Sequence, residues 1–215
     1  GENDAKGGFA PDFAKDSEQY LWLEKELAKA QSTSQFTFVS FHHAPYSSGP
    51  HGLSPGEQNN ADKQSGNPVR ALTALFMRYG VDAVFSGHDE MWERSVVTGL
   101  EINTSGKGLA HAIQFYDLGI GGDGLRAPIP GLINPYQQFL AHKDAPEVWE
   151  KGALVSGGKH YGHLEIDIAE QDNGIWTAIL KPIYVLPLLA LDGKTYSGYS
   201  RRMYDDQIII YSKKQ

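Results

Sequence analysis

Two side chains have the types and spacing to do chemistry together, His42 and His88. Residues 36–46, FTFVSFHHAPY, read as an apolar strand that stops at two histidines and a proline-containing turn. Residues 81–90, VDAVFSGHDE, repeat the plan with a short strand, a small-residue turn and a histidine. A helix-length segment separates the two, and a strand, helix, strand crossover makes the strands parallel neighbours. His42 and His88 then meet at the carboxyl ends of those strands, the edge at which open α/β sheets bind ligands. Two imidazoles converging on that crevice point to a metal site, since a neutral ring nitrogen is a good ligand for a divalent cation.

The elements that must position them follow from periodicity. Residues 16–30 place Tyr20, Leu23, Leu27 and Ala30 on one helical face, with Asp16 as the expected cap. The strand at 36–41 is mostly apolar, as expected when both sheet faces are covered. A polar, Gly- and Pro-rich loop over 47–66 holds His51, and a loop of that size in a compact domain is commonly functional. Asn67 and Pro68 open a helix with Leu72, Leu75, Phe76 and Tyr79 on one face, ended by Gly80. Beyond the second strand the pattern predicts a hairpin turning at Thr98-Gly99 and a strand over 113–118. Residues 119–158 read as irregular, with one short helical turn over 135–142. Strands over 163–168, 175–183 and 207–211 close the chain. Crossover elements precede antiparallel ones, so the fold class is α/β grading into a β layer.

At 215 residues with a formal charge of −7, the chain has room for one substantial core and no basic cluster larger than a pair such as Arg201-Arg202. That balance argues against a nucleic-acid groove or an anionic membrane surface. A phosphate ester approaching so acidic a chain needs a local positive charge, which a bound cation would supply. There is no cysteine, so disulfides and thiolate ligands are excluded, and no apolar run reaches the ~20 residues of a membrane-spanning helix.

The strings QYLWLEKEL, FVSFHHAPYSSGPHG and LFMRYGVDAVFSGHDEMWERS, in that order over residues 17–95, resemble the C-terminal half of the calcineurin-like metallophosphoesterases, and especially their purple acid phosphatase branch. The resemblance implies the C-terminal part of a four-layered αββα sandwich holding two metal ions, of Mn, Fe or Zn. It implies one partial domain over 1–215, with 16–105 the metal-site half and 106–215 the loop-rich and β-sheet remainder. The family's metal histidine falls on His42 when counted back from Tyr46 and on His43 when counted back from Pro45; the first register keeps the aromatic and the downstream SSG aligned. The Gly-His-x-His motif falls on Gly87-His88-Asp89-Glu90. His88 matches its first histidine, and Glu90 stands where the second would be, an oxygen donor that favours harder metals. His51, nine residues after His42, matches the histidine that binds substrate and protonates the leaving oxygen.

The resemblance therefore implies hydrolysis of a small phosphate ester, monoester or diester, by a protein exported to the periplasm or the outside. The family's upstream motifs, Asp-x-His, Gly-Asp-x-x-Asp and Gly-Asn-His-Asp/Glu, do not occur before the helix at Asp16. The expectation is accordingly of a fragment, inactive alone, whose partner is the N-terminal half of the same domain. The rival reading is a non-catalytic scaffold with a decayed metal site. Structural roles are expected for His43, His111, His142, His160 and His163, for an ion pair between Glu93 and Arg94, and for Tyr184, Tyr196, Tyr199, Tyr204 and Tyr211 in β-layer packing.

Overall fold

A computed structural model describes residues 12–54, 65–122, 124–141, 147–156 and 158–212. Helix α1 (Glu18–Thr33) is capped by Ser17, whose hydroxyl accepts the Tyr20 N–H at 3.3 Å. Asp16 is not the cap; it takes a positive φ of 69° in the turn before the helix. The helix outlasts the expected stop because Ser32 and Thr33 return their hydroxyls to the Lys29 carbonyl. Strand β1 (Phe38–Ser40) follows. The segment predicted as one α-helix from Asn67 is a 3-10 helix (Asn67–Leu72) running into a short α2 (Thr73–Arg78), without a side-chain cap from Asn67. Gly80 ends it at φ +66°, where any Cβ would strike the Glu101 carboxylate.

Strand β2 (Ala83–Ser86) pairs parallel with β1, Phe38 opposite Ala83, as the crossover requires. The hairpin lies elsewhere than predicted. Strand β3 (Trp92–Ile102) runs straight through Thr98-Gly99 and pairs with β4 (Gly108–Leu118). The turn falls at residues 103–107, where the Asn103 side chain accepts the Ser105 and Lys107 N–H groups, an Asx turn that hydrogen-bonding chemistry favours over Thr-Gly. Gly99 is mid-strand because a Cβ there would press on Met77 at 3.0 Å.

The helical turn expected over 135–142 is instead strand β5 (Gln137–Leu140) on the edge of β3. Asn134 accepts the Tyr136 N–H and turns the chain into the sheet, while Phe139 packs on Tyr204; His142 lies outside the described residues. Strands β6 (Val148–Glu150), β7 (Ala153–Ser156), β8 (Gly162–Glu170), β9 (Trp176–Leu189), β10 (Tyr196–Met203) and β11 (Ile208–Tyr211) complete the chain, so part of the stretch read as irregular is also β.

The first sheet runs β1-β2-β4-β3-β5; in the second, β9 pairs with β7, β8, β10 and β11. Successive residues of a strand face opposite sides, and β2 shows the result. Val84 joins the helix-side core with Leu27, Leu75 and Phe76, while Ala83 and Phe85 join the intersheet core with Trp92, Leu180 and Tyr184. Helix, sheet and sheet thus make three layers among the described residues, an α/β arrangement that fits the C-terminal part of an αββα sandwich. Arg94 crosses between the sheets to Asp205, Nε to Oδ2 at 2.6 Å and Nη2 to Oδ1 at 2.9 Å. Glu93 and Arg94 are therefore not paired with each other, because adjacent strand residues point apart. Of the tyrosines assigned to packing, Tyr184 stacks on Tyr204 at 4.4 Å, whereas Tyr196, Tyr199 and Tyr211 are exposed.

Candidate active site

The carboxyl ends of β1, β2 and β4 bound an open depression of about 400 Å³ lined by Ser40, Phe41, His42, Ser86, Gly87 and Leu118, among others. The parallel ladder does not stop at the strands. Phe41 N–H donates to the Phe85 carbonyl at 3.1 Å, and Gly87 N–H to the His42 carbonyl at 3.1 Å, which sets His42 directly beside His88. Their side chains meet, His88 Nδ1 lying 2.8 Å from His42 Nε2. The chain then leaves β1 through a pinned turn: Arg70 Nε donates to the Pro45 carbonyl, its guanidinium lies 4.8 Å over the Tyr46 ring, and Tyr46 Oη meets Thr73 Oγ1 at 3.0 Å.

The other sequence-predicted histidines gather here as well. His51 lies against His88 with ring centroids 3.6 Å apart, and His43 lies 4.6 Å from His88 on the same measure. His51 is buried, and two acidic residues hold its loop. Asp89, fully buried, accepts the Ser47 hydroxyl at 2.5 Å and the His51 N–H at 3.1 Å. Glu93 accepts the Ser48 N–H at 2.6 Å and its hydroxyl at 2.8 Å, and is itself held by Asn134 and Gln137. Gly49 is needed between them, because a Cβ there would fall 2.5 Å from the Asp89 carboxyl carbon.

Glu90 makes an ion pair with Arg126 Nε. Arg126 also donates its backbone N–H to the Glu90 carbonyl at 2.9 Å and brings Nη1 to 3.2 Å from His51 Nε2. An arginine only donates, so His51 Nε2 accepts and the ring carries its proton on Nδ1. Burial raises the Asp89 carboxyl above its ordinary value, with Ser47 and the His51 N–H partly offsetting. Burial, joined by the charges of Asp89 and Glu93, raises Asp117 well above its ordinary value.

The 2.8 Å contact of His42 and His88 is the length of a hydrogen bond between the two rings, and it brings two imidazole nitrogens together at the strand ends. Among the described residues no group of three His, Asp or Glu side chains is arranged to hold a metal. Sequence reasoning missed Arg126, Asp89 and the serines. Arg126 left one signal, being the sole Lys or Arg between Lys107 and Lys143 of an acidic chain. His111 bonds to the Val81 carbonyl and His163 to Glu165, while His160 packs on Tyr184, away from the site.

No family model matches the chain. Purple acid phosphatase 18 of Arabidopsis thaliana is 27% identical over 172 residues, covering 79% of this chain and 32% of its own length. A purple acid phosphatase of Glycine max is 27% identical over 143 residues, covering 62% of this chain and 28% of its own. The chain thus spans about a third or less of these relatives. Among solved structures, a purple acid phosphatase from yellow lupin (Lupinus luteus) seeds aligns over 88% of this chain and 29% of its own, with a TM-score of 0.43 and 17% identity.

Proposed function

The chain is a relative of the purple acid phosphatases, and from that premise we propose that it forms the histidine side of a metal-dependent phosphoesterase site. The observation that supports this best is the 2.8 Å approach of His42 Nε2 and His88 Nδ1 at two adjoining parallel strand ends. In this reading His42 and His88 would together hold one cation of Mn, Fe or Zn in place of the hydrogen bond between them. Such a cation supplies Lewis acidity and positive charge toward a phosphoryl group. A second cation belongs to the reading through the family relationship.

The chain's own residues do the rest. His51, against His88 and with its loop clamped through Ser47, Ser48 and Asp89, is the residue this reading assigns to the leaving oxygen. Glu90 has Oε2 committed to Arg126, which leaves Oε1 as the atom to offer a cation. The substrate is a small phosphate ester, and export to the periplasm or the outside goes with the relationship.

Hydrolysis of p-nitrophenyl phosphate by the full-length protein tests the reading. Turnover that requires added Mn, Fe or Zn and is abolished by His88→Ala supports it, and no turnover with any of these overturns it. The Glu90–Arg126 pair favours a second reading, a phosphatase-like scaffold whose carboxylate has been diverted from metal to arginine. That reading predicts no metal-dependent turnover and no high-affinity zinc binding.

A further inference from the structure

The site gathers acid. Asp117 lies within reach of the charges of Asp89, Glu93 and Glu90, in a chain of net charge −7. A phosphate ester arriving there meets repulsion unless something cationic faces it, and Arg126 is placed to do so.

Its position is fixed on two sides. The Arg126 N–H is tied to the Glu90 carbonyl at 2.9 Å, and three residues on the Ile129 N–H is tied to the Ser48 carbonyl at 2.8 Å. The loop bearing the arginine is thus stitched to both the Glu90 turn and the His51 loop. The side chain is neither buried nor free, being 41% exposed. Glu90 takes the Nε side of the guanidinium, and the Nη1 end is turned to His51 Nε2 at 3.2 Å. A guanidinium has five N–H donors, and beyond these two contacts the terminal end of its planar fork has a geometry that matches phosphoryl oxygens.

We propose that Arg126 is a substrate-binding residue that receives the phosphoryl oxygens beside His51, its fork aimed by Glu90. This deepens the phosphoesterase reading and rests on it for the identity of the substrate. Glu90 then has a definite task, to orient the guanidinium.

The test is binding of inorganic phosphate by calorimetry, in EDTA and again with manganese. In EDTA the wild-type protein binds phosphate, Arg126→Gln weakens it roughly tenfold or more, as expected for loss of a charge-assisted fork, and Arg201→Gln on the second sheet leaves it unchanged. Equal affinity of wild type and Arg126→Gln, or no binding by wild type in EDTA, overturns the proposal. Should manganese fail to strengthen phosphate binding while Arg126→Gln still weakens it, the metal reading falls and the arginine stands. A second measurement needs no variant: phosphate in EDTA slows phenylglyoxal modification of Arg126 but not of Arg201 in the wild-type protein, and equal slowing of neither or both contradicts the assignment.

Discussion

The two sheets bury their polar groups for different ends. At the carboxyl edge of the first sheet, Asp89, Glu93, Asp117, His51 and His88 are all buried within one neighbourhood, and burial holds two of these carboxyls above their ordinary range. Across the sandwich, the inner face of the second sheet is Ala178, Leu180, Tyr184 and Leu186, and its charge-bearing link to the first sheet is the Arg94–Asp205 pair, with side chains 7% and 1% exposed. Desolvated charges are costly unless they are paired and hydrogen-bonded, and the bidentate Arg94–Asp205 link meets that condition. The first edge is therefore built at the expense of stability and the second sheet in its favour, a division seen where function and stability compete.

Substitutions sharpen or break that contrast. The largest effect is expected from His88→Ala, which should lower metal-dependent hydrolysis by about a hundredfold or more, since even residues that merely support a metal ligand cost 10–100-fold; activity that survives would break the comparison on its functional side. Arg94→Ala should cost about 3–5 kcal/mol in urea unfolding, because it leaves the buried Asp205 charge unpaired, with the activity of the folded fraction unchanged.

Asp117→Asn should act in the opposite sense. A carboxyl whose folded pKa lies well above its ordinary value binds its proton more tightly in the folded state. The stability it contributes is full at acid pH and is lost as pH rises toward the folded pKa. Wild-type Tm should thus fall as the solution is taken from acid to neutral. The asparagine variant should flatten that decline and melt higher at neutral pH; an unchanged pH profile would contradict a buried-acid edge. Smallest is Ser17→Ala, a cap far from both regions, at about 1 kcal/mol by chemical denaturation.

The parts legible in the sequence were those set by local pattern. The apolar runs ending at His42 and His88 forecast two parallel strands and their meeting, and Gly80 marked a helix end. What escaped depends on partners distant in the chain. Asn103 outcompetes Thr98-Gly99 for the hairpin because its side chain satisfies two backbone donors, and Met77 from α2 explains the glycine left mid-strand. Residues 137–140 become a strand by adding to the edge of β3, which no short-range pattern announces. Glu93 and Arg94 read as a pair from adjacency, and the pleat sends them to opposite faces, toward Ser48 and Asp205. Arg126 reaches the site from a loop with no periodicity at all.

The central claim is that His42 and His88 serve one cation. Zinc-binding calorimetry on wild type, His42→Ala, His88→Ala and the double variant addresses it without reference to turnover. Each single variant should bind zinc about tenfold or more weakly, and the double variant should be little worse than either, the strong non-additivity of side chains that share a partner. Zinc affinity unaltered by either change, or two losses that simply add, would contradict a shared ion.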